Sequence, residues 1–326
     1  MTNQAVPQPS LARLTPYIRL LRPDNWFKNI FMAPGILLAF YFSPELLTWS
    51  TAGAIVWGLA AACLIASGNY VFNEILDAAS DRHHPVKHNR PLASGAAKVS
   101  AAWVLWICVS MAGLASGFAL NFRFGITGAL LWIAGILYNV PPIRLKDIPY
   151  GDVLSESLNN PLRLALGWYA TGLGSAPPFS MFMAYWMFGA FLMAAKRFAE
   201  FRMIGNAERA ARYRRSFLRY TEESLIESIF FYATLFALMS GYFIARYRFE
   251  LVLATPLVAL AMAYYLHLAY KPGSPVQYPE LLYRQKKLVL IVLAAFLACT
   301  ALLFVDLPGF DRLFAPWILP PLPAAR

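Results

Sequence analysis

The sequence predicts an all-α, polytopic membrane protein of about nine transmembrane helices, and three observations carry that prediction. Of its 326 residues, 59% are hydrophobic and only 14% charged, against about a quarter charged in a soluble domain. Apolar runs of 18 or more residues recur from Trp26 nearly to the C-terminus, each long enough to cross a hydrocarbon core of about 30 Å. The charged residues fall mainly between these runs.

Residues 1–25 are polar, basic and proline-containing, without the apolar core of a cleavable signal peptide. The first span, 26–44, is therefore expected to direct its own insertion. The second, 51–79, is long and ends among acids. The third and fourth, 100–120 and 124–140, are split by Asn121-Phe122-Arg123. The fifth, 152–172, begins behind Asp147 and stops at a glycine pair, Gly172 and Gly174. The sixth, 179–203, follows Pro177-Pro178 and ends in bases. The seventh and eighth, 221–245 and 250–270, are parted by Arg246 and Arg248, and Lys271-Pro272-Gly273 closes the eighth. The ninth, 286–306, emerges from Lys286-Lys287. Residues 26–306 thus read as one bundle, with 307–326 as a tail on the far side.

A net charge of +11 would raise nucleic acid as a partner in a soluble chain. Here it sorts by membrane side. Segments on the N-terminal side carry 22 Lys and Arg and those on the other side 5, which places the N-terminus in the cytoplasm of a cell-membrane protein and removes the need for nucleic acid. Cys63, Cys108 and Cys299 sit inside apolar runs without metal-ligand spacing and read as packing residues. The far loops, 45–50, 121–123, 173–178 and 246–249, are short and nearly featureless, so chemistry is expected at the basic face.

Acids mixed into that face are what topology leaves unexplained. Asn73, Asp77 and Asp81 recur every four residues, which aligns them on one gently drifting helix face. Two carboxylates and an amide oxygen are hard donors of the kind Mg²⁺ takes, usually completing its shell with substrate phosphates. A Mg²⁺-bound diphosphate is the expected ligand; a solvated helix end paired to Arg82 or Lys87 is the alternative. Arg82 through Pro91 then forms a basic loop after a helix stop at His84-Pro85. His83, His84 and His88 suit a solvated loop better than zinc, since two are adjacent and no cysteine is near.

A second acidic cluster comprises Asp147, Asp152 and Glu156. Asp147 reads as a helix-dipole partner, Asp152 as a second metal or substrate ligand, and Glu156 as either. Arg163 lies about three turns deeper, where an arginine pairs with something or binds an anion. Lys196 and Arg197 close the sixth span near the membrane plane, where binding phosphate suits them, with Glu200 in i,i+4 register with Lys196. The run from Arg209 to Arg219 reads as a solvated face or an anchor to anionic headgroups. Arg22, Trp26 and Lys28 precede the first span as an interfacial anchor or as part of the basic rim.

These residues resemble the UbiA superfamily of intramembrane prenyltransferases. The likeness rests on Asn73-x3-Asp77-x3-Asp81 ahead of a basic loop, a second acidic site where span five starts, and nine spans. Within the superfamily the chain is most similar to the phosphoribosyl-transferring branch. The segments that carry this are Arg22-Pro23-Asp24-Asn25-Trp26-Phe27-Lys28-Asn29, Asp81 to Ala93, Lys196-Arg197-Phe198-Ala199-Glu200 and Tyr220-Thr221. Glu74 departs from the usual acid after Asn73, Val140 to Ile143 looks like a small insertion, and Asn159 to Leu162 is less apolar than its counterpart.

The resemblance implies a UbiA-like bundle with a cytoplasm-facing active site, serving lipid-linked sugar synthesis at the cell envelope. It implies transfer of 5-phosphoribose from phosphoribosyl diphosphate to a decaprenyl-like polyprenyl phosphate, with Mg²⁺ held by Asn73, Asp77, Asp81 and Asp152. Arg22, Lys28, Lys87, Arg90, Tyr138, Lys146, Glu156, Arg163, Lys196 and Arg197 would bind substrate, within membrane lipid and compatibly with a homo-oligomer. Three anionic groups then meet in one place, which accords with the surplus of bases that also includes Arg144. A prenyltransferase acting on an aromatic acceptor is the alternative. A transporter is a third reading, disfavoured by the scarcity of polar residues toward the far face.

Overall fold

The computed structural model of the protein describes residues 10–82 and 87–310; the terminal segments and the loop histidines His83 and His84 lie outside the described residues. A short helix α1 (Ser10–Leu20) leads into a 3-10 run, Pro23–Met32, which continues as α2 (Ala33–Phe42). The long α3 (Trp49–Asp81) is followed by α4 (Val99–Leu120) and α5 (Phe122–Asn139). Next come α6 (Gly151–Ser157), α7 (Asn159–Ala170), α8 (Phe179–Ile204) and α9 (Ala207–Tyr213). The chain closes with α10 (Glu222–Tyr247), α11 (Thr255–Ala269) and α12 (Lys286–Phe304).

Seven of these segments are long and apolar enough to span a membrane: the second, third, fourth, sixth, seventh, eighth and ninth of the expected nine. The first and fifth expected spans are helical but broken, which is why they fall short. Pro34 has no N–H for the Ile30 carbonyl, and there a 3-10 run gives way to α2. Pro161 likewise leaves the Ser157 carbonyl without its helical donor, so 152–172 divides at Leu158 into α6 and α7. The two broken segments meet closely: a Cβ on Gly35 would collide with the Leu164 carbonyl, and one on Gly167 with the Met32 carbonyl. Such backbone approach through small residues is how helices pack where lipid removes the hydrophobic drive.

Around the bundle, α3 packs on α4 and α5, α5 on α7, α7 on α2 and α8, α8 on α10, and α11 on α8 and α12. One apolar core lies among α8, α10 and α11 around Phe191, Phe198 and Leu268; another lies among α3, α5 and α7 around Ile65, Phe124 and Leu166. Capping fixes the connections. Asn121 accepts from the Phe124 N–H to start α5, and Thr221 and Ser224 form a reciprocal capping box on α10. At 33 residues, α3 is about 50 Å long, well beyond the hydrocarbon thickness. Its last turns carry Asp77 and Asp81.

Candidate active site

The face of α3 predicted to carry the first acidic motif does so, with Tyr70 one turn before Asn73 on the same stripe. A cation already sits on it. Lys146, on the 3-10 turn Leu145–Asp147, donates through Nζ to Asp77 Oδ1 at 2.6 Å, Asn139 Oδ1 at 2.9 Å and Asn73 Oδ1 at 3.5 Å. Arg144 adds a longer contact to Asp77 at 3.4 Å and pairs with Asp147 at 3.0 Å. Asp147 is thus an ion-pair partner of Arg144 rather than the dipole partner expected. Burial holds the Lys146 ammonium below the ordinary lysine value, and the Asp77 carboxylate partly offsets this.

Asp81, one turn beyond, is buried and paired to Arg90 at 2.6 Å. The basic loop thus folds back onto the end of α3. Lys87, in that loop, is also held below its ordinary value, first by burial and then by Arg90. Glu74, the departure from the family pattern, points to a different task. It is buried, and its Oε1 accepts the Leu92 backbone N–H at 3.1 Å, tying the loop to α3. Arg22 stands beside these groups with a left-handed backbone (φ 49°), its guanidinium 5.8 Å from the Tyr70 ring centroid.

The second acidic cluster is differently built. Asp152 is fully buried, and both carboxylate oxygens are taken: Oδ1 by the Tyr220 hydroxyl at 2.8 Å, and Oδ2 by Arg197 Nε at 2.9 Å, the Ser216 hydroxyl at 3.1 Å and Arg214 Nη1 at 3.3 Å. Four donors thus hold Asp152, the residue expected to serve as a second metal or substrate ligand, and through them it anchors α8 and the 214–220 segment to α6. Tyr220, raised above the ordinary tyrosine value by burial and then by Asp152, keeps the proton it donates.

Arg197 spends its guanidinium on three acids, reaching Glu200 Oε2 at 3.0 Å and Glu156 Oε2 at 2.8 Å as well as Asp152. Glu200 therefore pairs with Arg197 rather than with Lys196. Tyr138, at the end of α5, donates to the same Glu156 oxygen at 3.2 Å. Lys196, Arg214 and Lys28 lie within electrostatic reach of Glu156. Arg214 is the residue sequence reasoning missed. It belongs to a run read as a solvated face or an anchor to anionic headgroups, yet it turns inward to Asp152, and nothing local distinguishes it from its basic neighbours.

Arg163 is buried in α7, and its Nε donates to Asn29 Oδ1 at 3.0 Å; Asn29 in turn donates to Cys63 at 3.1 Å. Among the described residues no carboxylate pairs with it. Trp26 reaches Ser67 at 3.0 Å, so the segment Trp26 to Asn29 docks on α3 as a structural unit.

Whether the residues fit a divalent cation is answered by the donor set. Oxygens of Asn73, Asp77 and Asn139 already converge on one ammonium, so the stripe accepts a cation. Among the described residues no three His, Cys, Asp or Glu side chains form a preformed metal cage. That matches Mg²⁺, which takes one or two carboxylates plus substrate phosphates and water. The site therefore has one acidic wall, on α3, and a second wall on which Arg197 and Arg214 pair with Asp152, Arg197 pairs with Glu200, and Arg197 takes one oxygen of Glu156.

A sequence profile of the UbiA prenyltransferase family matches residues 30–285. The chain is 30% identical over 213 residues to decaprenyl-phosphate phosphoribosyltransferase of Mycolicibacterium smegmatis, a match covering 64% of this chain and 63% of that protein, just under two thirds of its length. It is 27% identical over 232 residues to the protein of the same name from Mycobacterium tuberculosis, covering 69% and 72%. In three dimensions it resembles a UbiA homolog from Archaeoglobus fulgidus solved with GPP and Mg²⁺, with a TM-score of 0.65 at 19% identity over 87% of this chain and 99% of that one. The structural likeness shows the shared fold, the profile spans most of the chain, and this multi-pass membrane protein belongs to the UbiA prenyltransferase family of transferases.

Proposed function

We propose that the protein transfers 5-phosphoribose from phosphoribosyl diphosphate to a polyprenyl phosphate, releasing diphosphate in a Mg²⁺-dependent reaction at the cytoplasmic face of the cell membrane. One observation carries the reading: opposite the acidic stripe of α3, Asp152 and Glu200 are spent on Arg197 and Arg214. Lys28 and Lys196 add further bases to that wall, and three phosphate groups need more cations than one prenyl diphosphate does. The named relatives at about 30% identity point the same way. The orientation follows from the 22-to-5 bias of bases.

Asn73, Asp77 and Asp81 would hold Mg²⁺, which when bound neutralises charge developing on the diphosphate. Lys87, Arg90, Arg144 and Lys146 surround the same stripe and bind phosphate oxygens. They thereby orient the donor and stabilise the leaving group electrostatically. As the C1–O bond breaks, its electron pair leaves with diphosphate, and an oxygen of the polyprenyl phosphate forms the new bond to C1. That oxygen is already anionic at neutral pH, so no general base is needed. Arg163, a buried cation without a carboxylate partner among the described residues, serves a substrate phosphate.

The test is purified protein in liposomes with labelled phosphoribosyl diphosphate, a polyprenyl phosphate and Mg²⁺. Label in the lipid fraction supports the proposal. Product formed only from a prenyl diphosphate and an aromatic acceptor would replace it with the ordinary prenyltransferase reaction.

A further inference from the structure

Glu156 is held by one oxygen only. Its Oε2 takes the bonds from Arg197 and Tyr138, whereas among the described residues no hydrogen bond occupies Oε1, and 34% of the side chain remains accessible. Its remaining surroundings are cationic: Lys28 from the first helical segment, Lys196 from α8 and Arg214 lie within electrostatic reach. Tyr70, on the stripe that carries Asn73 and Asp77, is also within that reach.

An ionised carboxylate oxygen can only accept hydrogen bonds. A ligand that suits this arrangement must therefore offer hydroxyl donors to Glu156 while offering phosphate to the cations beside it. A prenyl diphosphate offers phosphate but no hydroxyl, and its chain would strip water from Oε1 without replacing it. A phosphorylated pentose offers both. Two tethers on Oε2 also fix the carboxylate in place before the ligand arrives, so little ordering cost falls on binding.

We propose that Glu156 is the specificity-determining residue of the donor subsite, with Oε1 accepting hydrogen bonds from the 2- or 3-hydroxyl of the ribose ring. The assignment rests on the phosphoribosyl reading above. Tyr138 and Arg197 act as positioning residues for it, and Lys28 and Lys196 take the phosphate at the other end of the same sugar.

The experiment compares phosphoribosyl diphosphate with its 2-deoxy and 3-deoxy analogues, using wild type, Glu156→Ala and Tyr138→Phe in liposomes with polyprenyl phosphate. Removing one hydroxyl is expected to lower wild-type kcat/KM about 10- to 100-fold for at least one analogue, the usual cost of a hydrogen bond to a charged group. In Glu156→Ala the natural donor falls by a similar factor and the discrimination disappears; in Tyr138→Phe, which retains the carboxylate, discrimination weakens. Wild type using both deoxy donors as well as the natural one, or Glu156→Ala keeping the wild-type ratio, overturns the assignment. If Glu156→Ala does not fold, the wild-type ratios and Tyr138→Phe decide. Efficient phosphoribosyl transfer without discrimination removes only the role of Glu156. Absence of that transfer alongside activity on prenyl diphosphate removes the phosphoribosyl reading and this assignment with it.

Discussion

Arg197 Nε lies 2.9 Å from Asp152 Oδ2, a pair 45 residues apart in sequence with 1% and 0% of their side chains exposed. It binds α8 to α6 and recruits Arg214, Ser216 and Tyr220 to one carboxylate. Breaking a buried pair from one side leaves a charge uncompensated, at about 3–5 kcal/mol. Asp152→Asn is therefore expected to lower the thermal unfolding midpoint sharply in detergent while leaving the Mg²⁺ concentration for half-maximal activity of the surviving protein unchanged. A weaker Mg²⁺ requirement curve with an unchanged midpoint would return Asp152 to the metal.

Asp77→Asn is the converse case. It preserves shape and keeps an oxygen toward Lys146, so the fold is expected to survive with turnover lost. The unfolding midpoint and lipid-incorporated label measure the two effects. Chelation of Mg²⁺ in wild type is expected to abolish label transfer and re-addition to restore it; full activity in Asp77→Asn would remove the metal assignment.

Arg214 separates the inward reading of its segment from the lipid-anchor one. Arg214→Gln is expected to reduce kcat/KM by about tenfold or more, as for loss of a charge-assisted hydrogen bond. Arg209→Gln and Arg219→Gln, on exposed neighbours, leave it near wild type. Equal effects of all three, varying with anionic lipid content, would favour the anchor.

Glu74→Asp shortens the side chain by one methylene and withdraws it from the Leu92 N–H. The expected cost is about 1–3 kcal/mol for a buried unsatisfied donor, read as faster hydrogen exchange across residues 87–97. Protection equal to wild type would show that the loop is held by other contacts.

Tyr220→Phe removes a donor from Asp152. The folded-state value of Tyr220 is raised, so the folded protein binds its proton more firmly than the unfolded chain does. Its contribution is fully present below the unfolded value of about 10 and is lost only as pH rises through the raised folded value. The difference in unfolding midpoint between wild type and Tyr220→Phe is therefore expected to stay constant from pH 6 to about 9. A difference that shrinks within that range would mean that Tyr220 titrates there and is not held as a donor.

Legibility in the sequence followed the range of the physics. The α3 stripe was readable because Asn73, Asp77 and Asp81 obey a local period that a helix converts directly into a shared face. Span five was readable as apolar and helical, yet its division at Leu158 depends on Pro161 within a segment packed closely on α2. For Glu74 the type was visible but not the duty, because its partner is a backbone N–H 18 residues away.

Composition and periodicity fix a helical, multi-pass membrane protein with an oxygen-rich stripe, Asn73, Asp77 and Asp81, on one helix face. These are local or additive properties: hydropathy sums along a run, and spacing maps onto a face. Which charges neutralise one another depends on the three-dimensional packing. Asp77 meets Lys146 from 69 residues away, and Asp152 meets Arg197 and Arg214 from 45 and 62 residues away. A carboxylate carries the same charge whether it faces a metal, a lysine or four donors, so its role is set by long-range packing, which the sequence encodes only through the whole fold.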